Sequence, residues 1–473
     1  MDIINQYGQS PALICNEQAC NYLEYGRLIE NTANRLISNG INKNDRVALV
    51  SADNGHCPPV IMALLHIGAV AVPISTRFPA GIVSSLLKKT NCGKLVIGKN
   101  YRNLHLPKKL KILEQEDLFY PDKNNPFDLI RQPLSFRQDA TILFTSGSCG
   151  EPKAVLHDFG SHYYSAVGSN MNIPLNPDDR WLLSIPLYHA GGMAILFRTL
   201  VSGAATVIRD SRSSIAENIE RFKVTHISLV STQLHRLLQD ERSIRVLRSL
   251  KAILLGGSRF SGTLLRRSVE KGLPVYASYG LTETASQVCT TSAGYSLDSL
   301  SNAGKVLNHR RIKTDENGEI LVKGKTLFKG YVEEEGIRVN LDGDGWFKTG
   351  DIGRIDDYGY LSIIGRKDNM FISGGENIHP EEIEECLLQM PEIERAMVVS
   401  VSDDEFGERP AAFIKLTKNQ KTAVDKIRRH LRETLPPFKI PDHFLPWPEL
   451  EEDLKPNRKL FKEIAHDNLC KKF

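Results

Sequence analysis

The chain contains Thr141-Ile-Leu-Phe-Thr-Ser-Gly-Ser-Cys-Gly-Glu-Pro-Lys153, in which an apolar strand pattern runs into a loop of hydroxyl residues and glycines. Gly147 and Gly150 can adopt positive φ and let the backbone approach a ligand closely. The hydroxyl and amide groups of the loop are hydrogen-bond donors, and Lys153 adds a cation that suits phosphate oxygens. The pattern predicts a phosphate-binding loop, although its spacing is not that of a Walker A motif. A flexible surface turn is the alternative interpretation of this loop alone.

The composition is typical of a globular protein, with 473 residues, 41% hydrophobic and 25% charged, and a formal net charge of +4. A chain of this length predicts about two to four domains. The near balance of charges gives no reason to expect a nucleic-acid partner. The eight cysteines lie scattered, without metal-binding spacing, which is typical of reduced cytoplasmic thiols.

The hydropathy pattern argues against a membrane protein. The N-terminus lacks a basic segment followed by an apolar one, so we expect no signal peptide. The longest apolar run, residues 60–74, contains Gly68 and Pro73 and is shorter than the roughly 20 residues that span a bilayer. This run predicts a buried helix that turns at Gly68 into a strand. We expect a cytoplasmic protein without integral membrane association, and a homo-oligomer is left open.

Strand and helix patterns alternate from the N-terminus to about residue 290. This alternation predicts an α/β fold with parallel sheets covered by helices. The predicted helices lie at 22–39, 60–66, 82–88 and near Thr232, and the predicted strands at 46–50, 69–74, 94–97, 225–230 and 251–257.

The pattern changes near residue 301. Short strands at 319–322, 345–347 and 359–364, separated by Asp/Gly turns, predict a small β-rich subdomain over about 301–367. A compact α+β unit follows, and its first helix begins at Pro380, a residue well suited to the first helical position. The remaining predicted elements are strands at 395–401, 410–416 and near His443, and helices at 424–435 and after Lys459. The chain is thus divided into an N-terminal domain, 1–367, and a C-terminal domain, 368–473.

Further motifs could each serve a nucleotide. Tyr279-Gly-Leu-Thr-Glu-Thr284 offers a ring for stacking, a hydroxyl for a phosphate oxygen and a carboxylate for Mg²⁺. Thr349-Gly-Asp351 places a carboxylate after a glycine at the end of a predicted strand, where it could hold ribose hydroxyls. Arg366 could bind phosphate or ribose oxygens. Taken singly, each motif is equally compatible with an ordinary turn or helix cap.

The motifs in this order resemble the adenylate-forming superfamily, which includes acyl-CoA synthetases, peptide-synthetase adenylation domains and beetle luciferases. The resemblance covers nearly the whole chain. It implies two sheet-and-helix subdomains plus the β-rich one, followed by a mobile C-terminal lid domain. The stretches that carry it are residues 145–153, Pro186-Leu-Tyr-His189, residues 279–283, Thr349-Gly-Asp351, residues 365–368, Ser373-Gly-Gly-Glu-Asn-Ile-His-Pro-Glu-Glu-Ile383 and Lys459.

The same resemblance implies ATP, Mg²⁺ and coenzyme A as ligands and assigns roles to residues. The phosphate grip would be Thr145, Ser146, Gly147, Ser148, Cys149, Gly150 and Lys153. The nucleotide would also contact Gly257, Ser258, Tyr279, Gly280, Thr282, Asp351 and Arg366, with Glu283 as the metal ligand. The residues implied in catalysis are Lys459, Glu283, Thr282 and His189. The hinge would be Asp368, and the loop on the coenzyme A side Ser373, Gly374 and Gly375.

Three positions depart from the superfamily pattern. Cys149 replaces a threonine and Ala154 a glycine, and both replacements are small. Arg458 stands where a glycine normally precedes the catalytic lysine. We assign the lysine role to Lys459, with Lys455 as the weaker candidate.

The acid pocket carries a clue to the substrate. His189 could gate the channel between acid and thiol, or could simply cap a helix. Arg198 lies in the apolar segment 193–200, where a cation costs free energy unless it is paired or reaches solvent. It could therefore bind a second carboxylate of the substrate, or extend to the surface. Gly280 is included with His189 and Arg198 among the substrate-binding candidates.

Several stretches are similar to the o-succinylbenzoate–CoA ligase family of menaquinone biosynthesis. They are residues 184–198, 228–238, 252–257, 279–289 and 404–410. The resemblance implies an AMP-forming acid–thiol ligase that makes an acyl-adenylate and then a coenzyme A thioester. Another aryl- or acyl-CoA ligase, a stand-alone adenylation enzyme that loads a carrier protein, and a catalytically silent scaffold are the alternatives.

Overall fold

The computed structural model describes residues 3–51, 57–101, 110–119, 134–145, 152–257, 262–292, 294, 302–403, 405–417, 423–449 and 457–470. Ser146, Gly147, Ser148, Cys149 and Gly150 of the predicted phosphate loop lie outside these ranges, as do Ser258 and Lys455. Within the described ranges, no helix has the length and apolar character needed to cross a membrane.

The strands alternate with helices through the first half of the chain. In chain order the strands are β1 (Pro11–Cys15), β2 (Gln18–Asn21), β3 (Arg46–Val50), β4 (Val70–Pro73), β5 (Lys94–Ile97), β6 (Lys111–Glu114), β7 (Asp139–Thr145), β8 (Lys153–Asp158), β9 (Arg180–Leu183), β10 (Ala205–Ile208), β11 (His226–Leu229), β12 (Ala252–Leu255), β13 (Val275–Leu281), β14 (Ser286–Thr290), β15 (Lys305–Val306), β16 (Arg310–Thr314), β17 (Glu319–Gly324), β18 (Gly330–Glu333), β19 (Gly336–Arg338), β20 (Phe347–Ile355), β21 (Leu361–Arg366), β22 (Phe371–Ser373), β23 (Glu376–Ile378), β24 (Ile393–Asp403), β25 (Gly407–Leu416) and β26 (His443–Pro446).

The helices are α1 (Ile3–Tyr7), α2 (Tyr22–Ser38), α3 (Cys57–Ile67), α4 (Ala80–Lys89), α5 (Phe159–Asn172), α6 (Ala190–Ser202), α7 (Ile215–Phe222), α8 (Ser231–Leu237), α9 (Glu241–Arg248), α10 (Gly262–Glu270), α11 (Pro380–Leu388), α12 (Val424–Thr434) and α13 (Arg458–Cys470). Most predicted elements are present, with ends that differ by a few residues, but the strand predicted at 345–347 shares only Phe347 with the nine-residue β20. Gly68 adopts φ +86° between α3 and β4, which is the turn that the glycine predicted.

Two large sheets form most of the molecule. The first has the order β15-β14-β13-β12-β11-β9-β10-β1-β2, and the second β19-β18-β8-β7-β4-β3-β5-β6. Strands β10, β9, β11, β12 and β13 are parallel in the first sheet, as are β7, β4, β3, β5 and β6 in the second. The predicted parallel sheets are therefore present at the centre of each half.

Both large sheets have antiparallel strands at an edge, which the sequence analysis did not predict, whereas the β6 edge of the second sheet is parallel. Strand β8 follows β7 after a seven-residue loop and pairs antiparallel with it, with Thr145 opposite Lys153. Parallel pairing would need a crossover of about a dozen residues or more. Strands β14 and β15 likewise pair antiparallel at one edge of the first sheet.

The region 301–367 contributes to all three N-terminal sheets. Strands β16, β17, β20 and β21 form a four-stranded antiparallel sheet of their own. In contrast, β18 pairs with β8 of the second sheet, and β15 pairs with β14 of the first. The chain thus ties the two large sheets together before it enters the C-terminal unit.

The C-terminal unit packs around the three-stranded sheet β24-β25-β26 and the hairpin β22-β23. Pro380 is the first residue of α11, as predicted. On one face, α11 and α12 bury Ile383, Leu387 and Leu431. On the other, α13 buries Phe461, whose ring centroid lies 5.0 Å from that of Phe413 and 4.9 Å from that of Trp447.

We expect Phe461→Ala to lower the free energy of unfolding by about 3–5 kcal/mol, because it deletes a fully buried ring and leaves a cavity. Leu460, the preceding residue, is 37% exposed, so Leu460→Ala should cost less than about 1 kcal/mol. Urea unfolding of the full chain, followed by circular dichroism, measures both variants. Equal losses would contradict the packing of α13 described above.

Candidate active site

The carboxyl ends of the parallel strands of the first sheet lie along one edge. Leu255 of β12 pairs with Ala277 of β13, so Gly257 and Tyr279, each two residues further on, lie at the same end of the sheet. Gly257 follows the end of β12, whereas Tyr279 is still within β13 and pairs with Cys289 of β14. Gly257 adopts φ +85°, and the side chain of Ser278 donates to the carbonyl of Leu255. Ligands of open α/β sheets bind at this edge.

Tyr279 and Arg366 converge on Asp351. The hydroxyl of Tyr279 donates to Asp351 Oδ2 at 2.6 Å, and Arg366 Nη1 donates to Oδ1 at 3.0 Å. Burial raises the pKa of Asp351, an effect that the Arg366 guanidinium opposes. Burial also raises the pKa of Tyr279 well above its ordinary value, so its hydroxyl stays protonated as a donor. The structure therefore brings together three residues that the sequence analysis assigned to one nucleotide.

Asp351 does not lie at a strand end, which corrects the sequence-based expectation. It stands inside β20, directly opposite Arg366 of β21. Gly350 allows this arrangement, because it adopts φ +73° and a Cβ there would stand 3.0 Å from Arg366 Nη2. Cross-strand pairing thus aligns the carboxylate with the guanidinium.

The predicted catalytic pair Thr282–Glu283 lies in a short 3₁₀ turn after β13. His157 of β8 donates from Nε2 to the carbonyl of Thr282 at 2.7 Å. Glu283 is buried, and its Oε1 accepts from the hydroxyl of Tyr331 at 2.8 Å. The turn that carries the candidate metal ligand is therefore held by two strands of the other large sheet.

Lys153 lies beside this turn. It is the first residue of β8, and its Nζ stands 5.3 Å from the ring centroid of Tyr331, the partner of Glu283. Thr145 lies directly opposite Lys153 on β7. The two described ends of the predicted phosphate loop thus stand next to the carboxylate that was assigned to Mg²⁺.

Glu283 is the carboxylate that the sequence analysis assigned to Mg²⁺. Among the described residues, no group of three or more His, Cys, Asp or Glu side chains forms a metal cluster. Mg²⁺ is commonly held by one or two carboxylates together with substrate phosphates and water. A buried carboxylate oriented by Tyr331, with Lys153 nearby, fits such a site.

Arg198 is buried inside α6, with 1% of its surface exposed. This excludes the alternative in which its side chain extends to the surface. Its Nη2 donates to Gln287 Oε1 at 2.6 Å, and its guanidinium carbon lies 5.1 Å from the centroid of the Trp181 ring. Nε and Nη1 have no hydrogen-bond partner among the described residues.

A second buried cation, Arg310, lies close to Arg198. It donates to the backbone carbonyls of Gln287 and Asn308 and to Ser165. Burial lowers the pKa of Arg198 to about 9, and the charge of Arg310 adds to this effect. No acidic side chain within the described ranges forms an ion pair with either guanidinium. The two guanidinium groups thus form an electropositive cluster that has no ion-paired carboxylate among the described residues.

His189 occupies the N-cap position of α6, but its side chain makes no capping hydrogen bond. The capping interpretation is therefore wrong for the imidazole, which is exposed. Gly192 lets this turn close, since a Cβ there would lie 2.2 Å from the carbonyl oxygen of Pro186. A cavity of about 180 Å³ borders Pro186 and Tyr188 and extends to Arg77 and Cys57.

Gly280 lies where β13 meets β14. A Cβ on it would stand 1.8 Å from the carbonyl oxygen of Ser286, so only glycine fits. The close approach places Ser286 and Gln287, the neighbours of Arg198, directly against the strand that carries Tyr279. The acid pocket and the nucleotide residues therefore share one wall.

The C-terminal candidates differ in their contacts with these residues. Asp368 accepts from Arg366 Nη2 at 3.3 Å, and Ser373 and Gly374 lie at the turn of the β22–β23 hairpin beside Gly375. Lys459 is exposed near the start of α13, and its backbone N–H donates to Asn457. Among the described residues, no hydrogen bond or ion pair joins Lys459 to Glu283 or Asp351.

The family is shown by the match over most of the sequence. Residues 2–332 match the AMP-binding enzyme family, and residues 382–454 match the AMP-binding enzyme C-terminal domain. The chain belongs to the AMP-binding enzyme family. The α/β architecture with a large N-terminal part and a smaller C-terminal unit is the fold of this family.

Two similar relatives are both named 2-succinylbenzoate–CoA ligase. The chain is 33% identical to the 2-succinylbenzoate–CoA ligase of Bacillus subtilis (strain 168) over 445 residues, which cover 92% of this chain and 90% of that protein. It is 32% identical to the ligase of the same name from Bacillus cereus (strain Q1) over 441 residues, with 91% and 90% covered.

Solved structures agree with these relatives. The o-succinylbenzoate CoA synthetase of Bacillus subtilis in complex with the acyl-adenylate intermediate OSB-AMP matches with a TM-score of 0.85, 30% identity, and 98% and 97% of the two chains covered. The same synthetase with ATP and magnesium ion gives a TM-score of 0.85 and 30% identity, with 97% and 98% covered.

Several residues at the site were missed by the sequence analysis. Three of them lie within strands, where the local pattern does not distinguish a site residue from a core residue: His157, Tyr331 and Gln287. Arg310 was also missed. Its only signal in the sequence was the alternation along β16, which places Arg310 on the buried side of the strand.

We expect His157 to make stability fall in mild acid. Burial lowers its pKa to about 4 from an ordinary 6.5. Below pH 6.5 His157 is therefore protonated in the unfolded chain but stays neutral in the folded chain. The free energy of unfolding decreases as the pH falls towards 4. Between pH 7.5 and 5 this histidine should account for about 2 kcal/mol of the loss. His157→Gln, which keeps an N–H donor, should show that much less pH dependence in urea unfolding; an unchanged pH profile would contradict the assignment.

Proposed function

We propose that this chain activates o-succinylbenzoate with ATP to form an acyl-adenylate and then transfers the acyl group to coenzyme A, as an AMP-forming acid–thiol ligase of menaquinone biosynthesis. The observation that carries the substrate assignment is the buried Arg198, which has unpaired N–H groups and no carboxylate partner among the described residues. O-succinylbenzoate is a dicarboxylate, so one carboxylate can react while the other pairs with Arg198. The names of the relatives support the same acid.

The pocket chemistry favours a substrate anion. An isolated buried cation is costly, whereas a buried pair with charge-assisted hydrogen bonds is strong. Arg198 Nε and Nη1 have no hydrogen-bond partner among the described residues, so each leaves an N–H that could donate to a carboxylate oxygen. Trp181 and Phe197, both buried beside it, give an apolar surface for an aromatic ring.

The nucleotide would lie across the edge of the first sheet. Asp351 and Arg366 would bind the ribose hydroxyls, and Gly257 and Tyr279 would form the slot for the adenine ring. Thr145 and Lys153 would hold the phosphates, with Thr282 at the α-phosphate. Mg²⁺, when bound, neutralises phosphate charge, and Glu283 would hold it. These roles agree with the hydrogen bonds and the shared edge described above.

In the first half-reaction a carboxylate oxygen of the substrate attacks the α-phosphorus, and the bond to pyrophosphate breaks. Lys459 would stabilise the negative charge that gathers on the phosphate oxygens. In the second, the thiolate of coenzyme A attacks the acyl carbonyl carbon and AMP leaves. We propose that the domain after residue 367 rotates about Asp368 between the two steps, withdrawing Lys459 and presenting Ser373, Gly374 and Gly375. His189 and the cavity beside Tyr188 would lie on the thiol side.

We further propose that the reaction runs in the cytoplasm. Cys20, Cys92 and Cys289 are free thiols, as a reducing compartment would keep them.

The test of the activity is thioester formation from o-succinylbenzoate with ATP, Mg²⁺ and coenzyme A, and pyrophosphate release over a panel of aryl and fatty acids. Preferential turnover of o-succinylbenzoate would support the assignment. Preference for another acid would make the chain a different acyl-CoA ligase. Adenylate without thioester would favour the loading of a carrier protein, and no pyrophosphate with any acid would favour a silent scaffold.

Arg198→Met should raise the KM for o-succinylbenzoate by about a hundredfold, because it removes a buried charge-assisted contact worth a few kcal/mol. The KM for ATP should stay within about twofold of the wild-type value, since Arg198 contacts no proposed nucleotide residue. Arg198→Lys keeps the charge but not the planar guanidinium. Its KM for o-succinylbenzoate should lie between those of the wild type and Arg198→Met. Unchanged steady-state kinetics in Arg198→Met would remove this residue from the substrate site.

Lys459→Ala should slow pyrophosphate release by about a hundredfold or more, while thioester formation from supplied acyl-adenylate should persist. Quenched-flow measurement of each half-reaction tests this separation. The matched control is Lys462→Ala, one turn further along α13, where Lys462 pairs with Glu408 at the surface. Equal loss in both half-reactions of Lys459→Ala would overturn its role.

A further inference from the structure

Arg458 is a large cation at a position where the adenylate-forming superfamily has glycine, immediately before Lys459. It is the first residue of α13. Its side chain is only 21% exposed and lies against α11 and β24. A glycine at this position has no side chain to anchor the backbone before Lys459, whereas the side chain of Arg458 can anchor it.

The guanidinium of Arg458 forms a paired contact with Glu384 of α11. Nη1 lies 2.6 Å from Oε1, and Nη2 lies 3.2 Å from Oε2. Glu384 Oε1 also accepts from the backbone N–H of Val398 at 2.7 Å, and Arg458 Nη1 donates to the carbonyl of Val398. The start of α13 is therefore joined to both a helix and a strand of the C-terminal unit.

A second contact leads towards the proposed hinge. Arg458 Nη2 lies 3.4 Å from Glu381 Oε1, which also accepts from the side-chain amide of Asn369 at 2.6 Å. Asn369 directly follows Asp368. Glu381 in turn lies against β21, since a Cβ on Gly365 would stand 2.7 Å from its Oε2. Two hydrogen bonds thus connect Arg458 with the residue after the hinge.

We propose that Arg458 is a positioning residue for the adenylate-forming step, which holds Lys459 in a fixed place relative to α11 and the hinge segment. The proposal rests on the proposed function, because it assigns a use to Lys459 at the α-phosphate. It goes beyond it by explaining the glycine-to-arginine departure. The set Arg458, Glu384, Glu381 and Asn369 lies wholly after residue 367, so it would move as one body with Lys459.

Removing the arginine should free the lysine without unfolding the unit. Phe461 keeps α13 packed on the sheet, so the change stays at the first turn of the helix. Burial raises the pKa of Glu384, and the charge of Arg458 opposes that rise. Without Arg458, α13 would lose its contact with Glu384 of α11. A displacement of about 1 Å at a catalytic group can cost up to a hundredfold in rate.

The experiment compares Arg458→Gly, the superfamily residue, with Arg458→Lys and the wild type in both half-reactions. In Arg458→Gly, kcat for pyrophosphate release should fall by about tenfold or more, with KM for ATP and acid within about twofold. Thioester formation from supplied acyl-adenylate should remain near the wild-type rate. Arg458→Lys, which can still reach Glu384 as a single donor, should recover part of the loss.

Lys462→Gly is the matched control, because it also places a glycine in α13 and removes an ion pair, the one with Glu408. Glycine inside a helix costs about 1 kcal/mol, so this variant should lower the Tm while sparing both half-reactions. Glu384→Gln should reproduce the selective loss of Arg458→Gly and add little to it in the double variant.

Equal losses in both half-reactions of Arg458→Gly, or the same loss in Lys462→Gly, would reduce Arg458 to a stabilising residue and overturn the proposal. Full adenylate-forming activity in Arg458→Gly would overturn it as well. A wild-type chain inactive on o-succinylbenzoate would contradict only the substrate assignment. The acid from the panel that does release pyrophosphate would then serve for the Arg458 comparison.

Discussion

The hydrogen bond from His157 to the carbonyl of Thr282 joins the two large sheets at the point where the chemistry is proposed. His157 belongs to β8 of the second sheet, and Thr282 follows β13 of the first. Tyr331, which pairs with Val155 of the same β8, holds the neighbouring Glu283. Because the histidine is buried and neutral, the bond adds no charge beside the proposed phosphates. The relative position of Lys153, Glu283 and the Asp351–Arg366 pair depends on this junction.

The acid pocket follows the opposite electrostatic logic. His157 of the second sheet is a neutral hydrogen-bond donor. Arg198 and Arg310, in contrast, are buried cations without an acidic partner among the described residues. Arg310 is satisfied by backbone carbonyls and Ser165, but Arg198 is not. Such an arrangement sacrifices stability in the free protein, and a bound carboxylate restores it. The proposed specificity for a dicarboxylate then arises because Arg198 has no acidic partner until the substrate binds.

Much of the fold could be predicted from local pattern, because Gly68 and Pro380 specify backbone conformations that few other residues favour. The antiparallel edges could not be predicted, since they depend on which strands meet. Asp351 was identified from its motif, yet its place inside β20 required the register with Arg366. His157 lies 125 residues from Thr282, and no local pattern reports such a contact. Arg458 was visible as a departure from the superfamily, but its use became clear only from Glu384 and Glu381.

The central claim is tested most directly by comparing kcat/KM for o-succinylbenzoate with kcat/KM for two analogues that each lack one of its two carboxylates. One analogue, 4-oxo-4-phenylbutanoate, lacks the ring carboxylate, and the other, 2-butanoylbenzoate, lacks the chain carboxylate. The wild type should release pyrophosphate with one of them only, with kcat/KM lower than for o-succinylbenzoate by about a hundredfold or more. Arg198→Met should use that analogue and the dicarboxylate about equally. Equal kcat/KM values for the dicarboxylate and that mono-acid in the wild type would contradict the account.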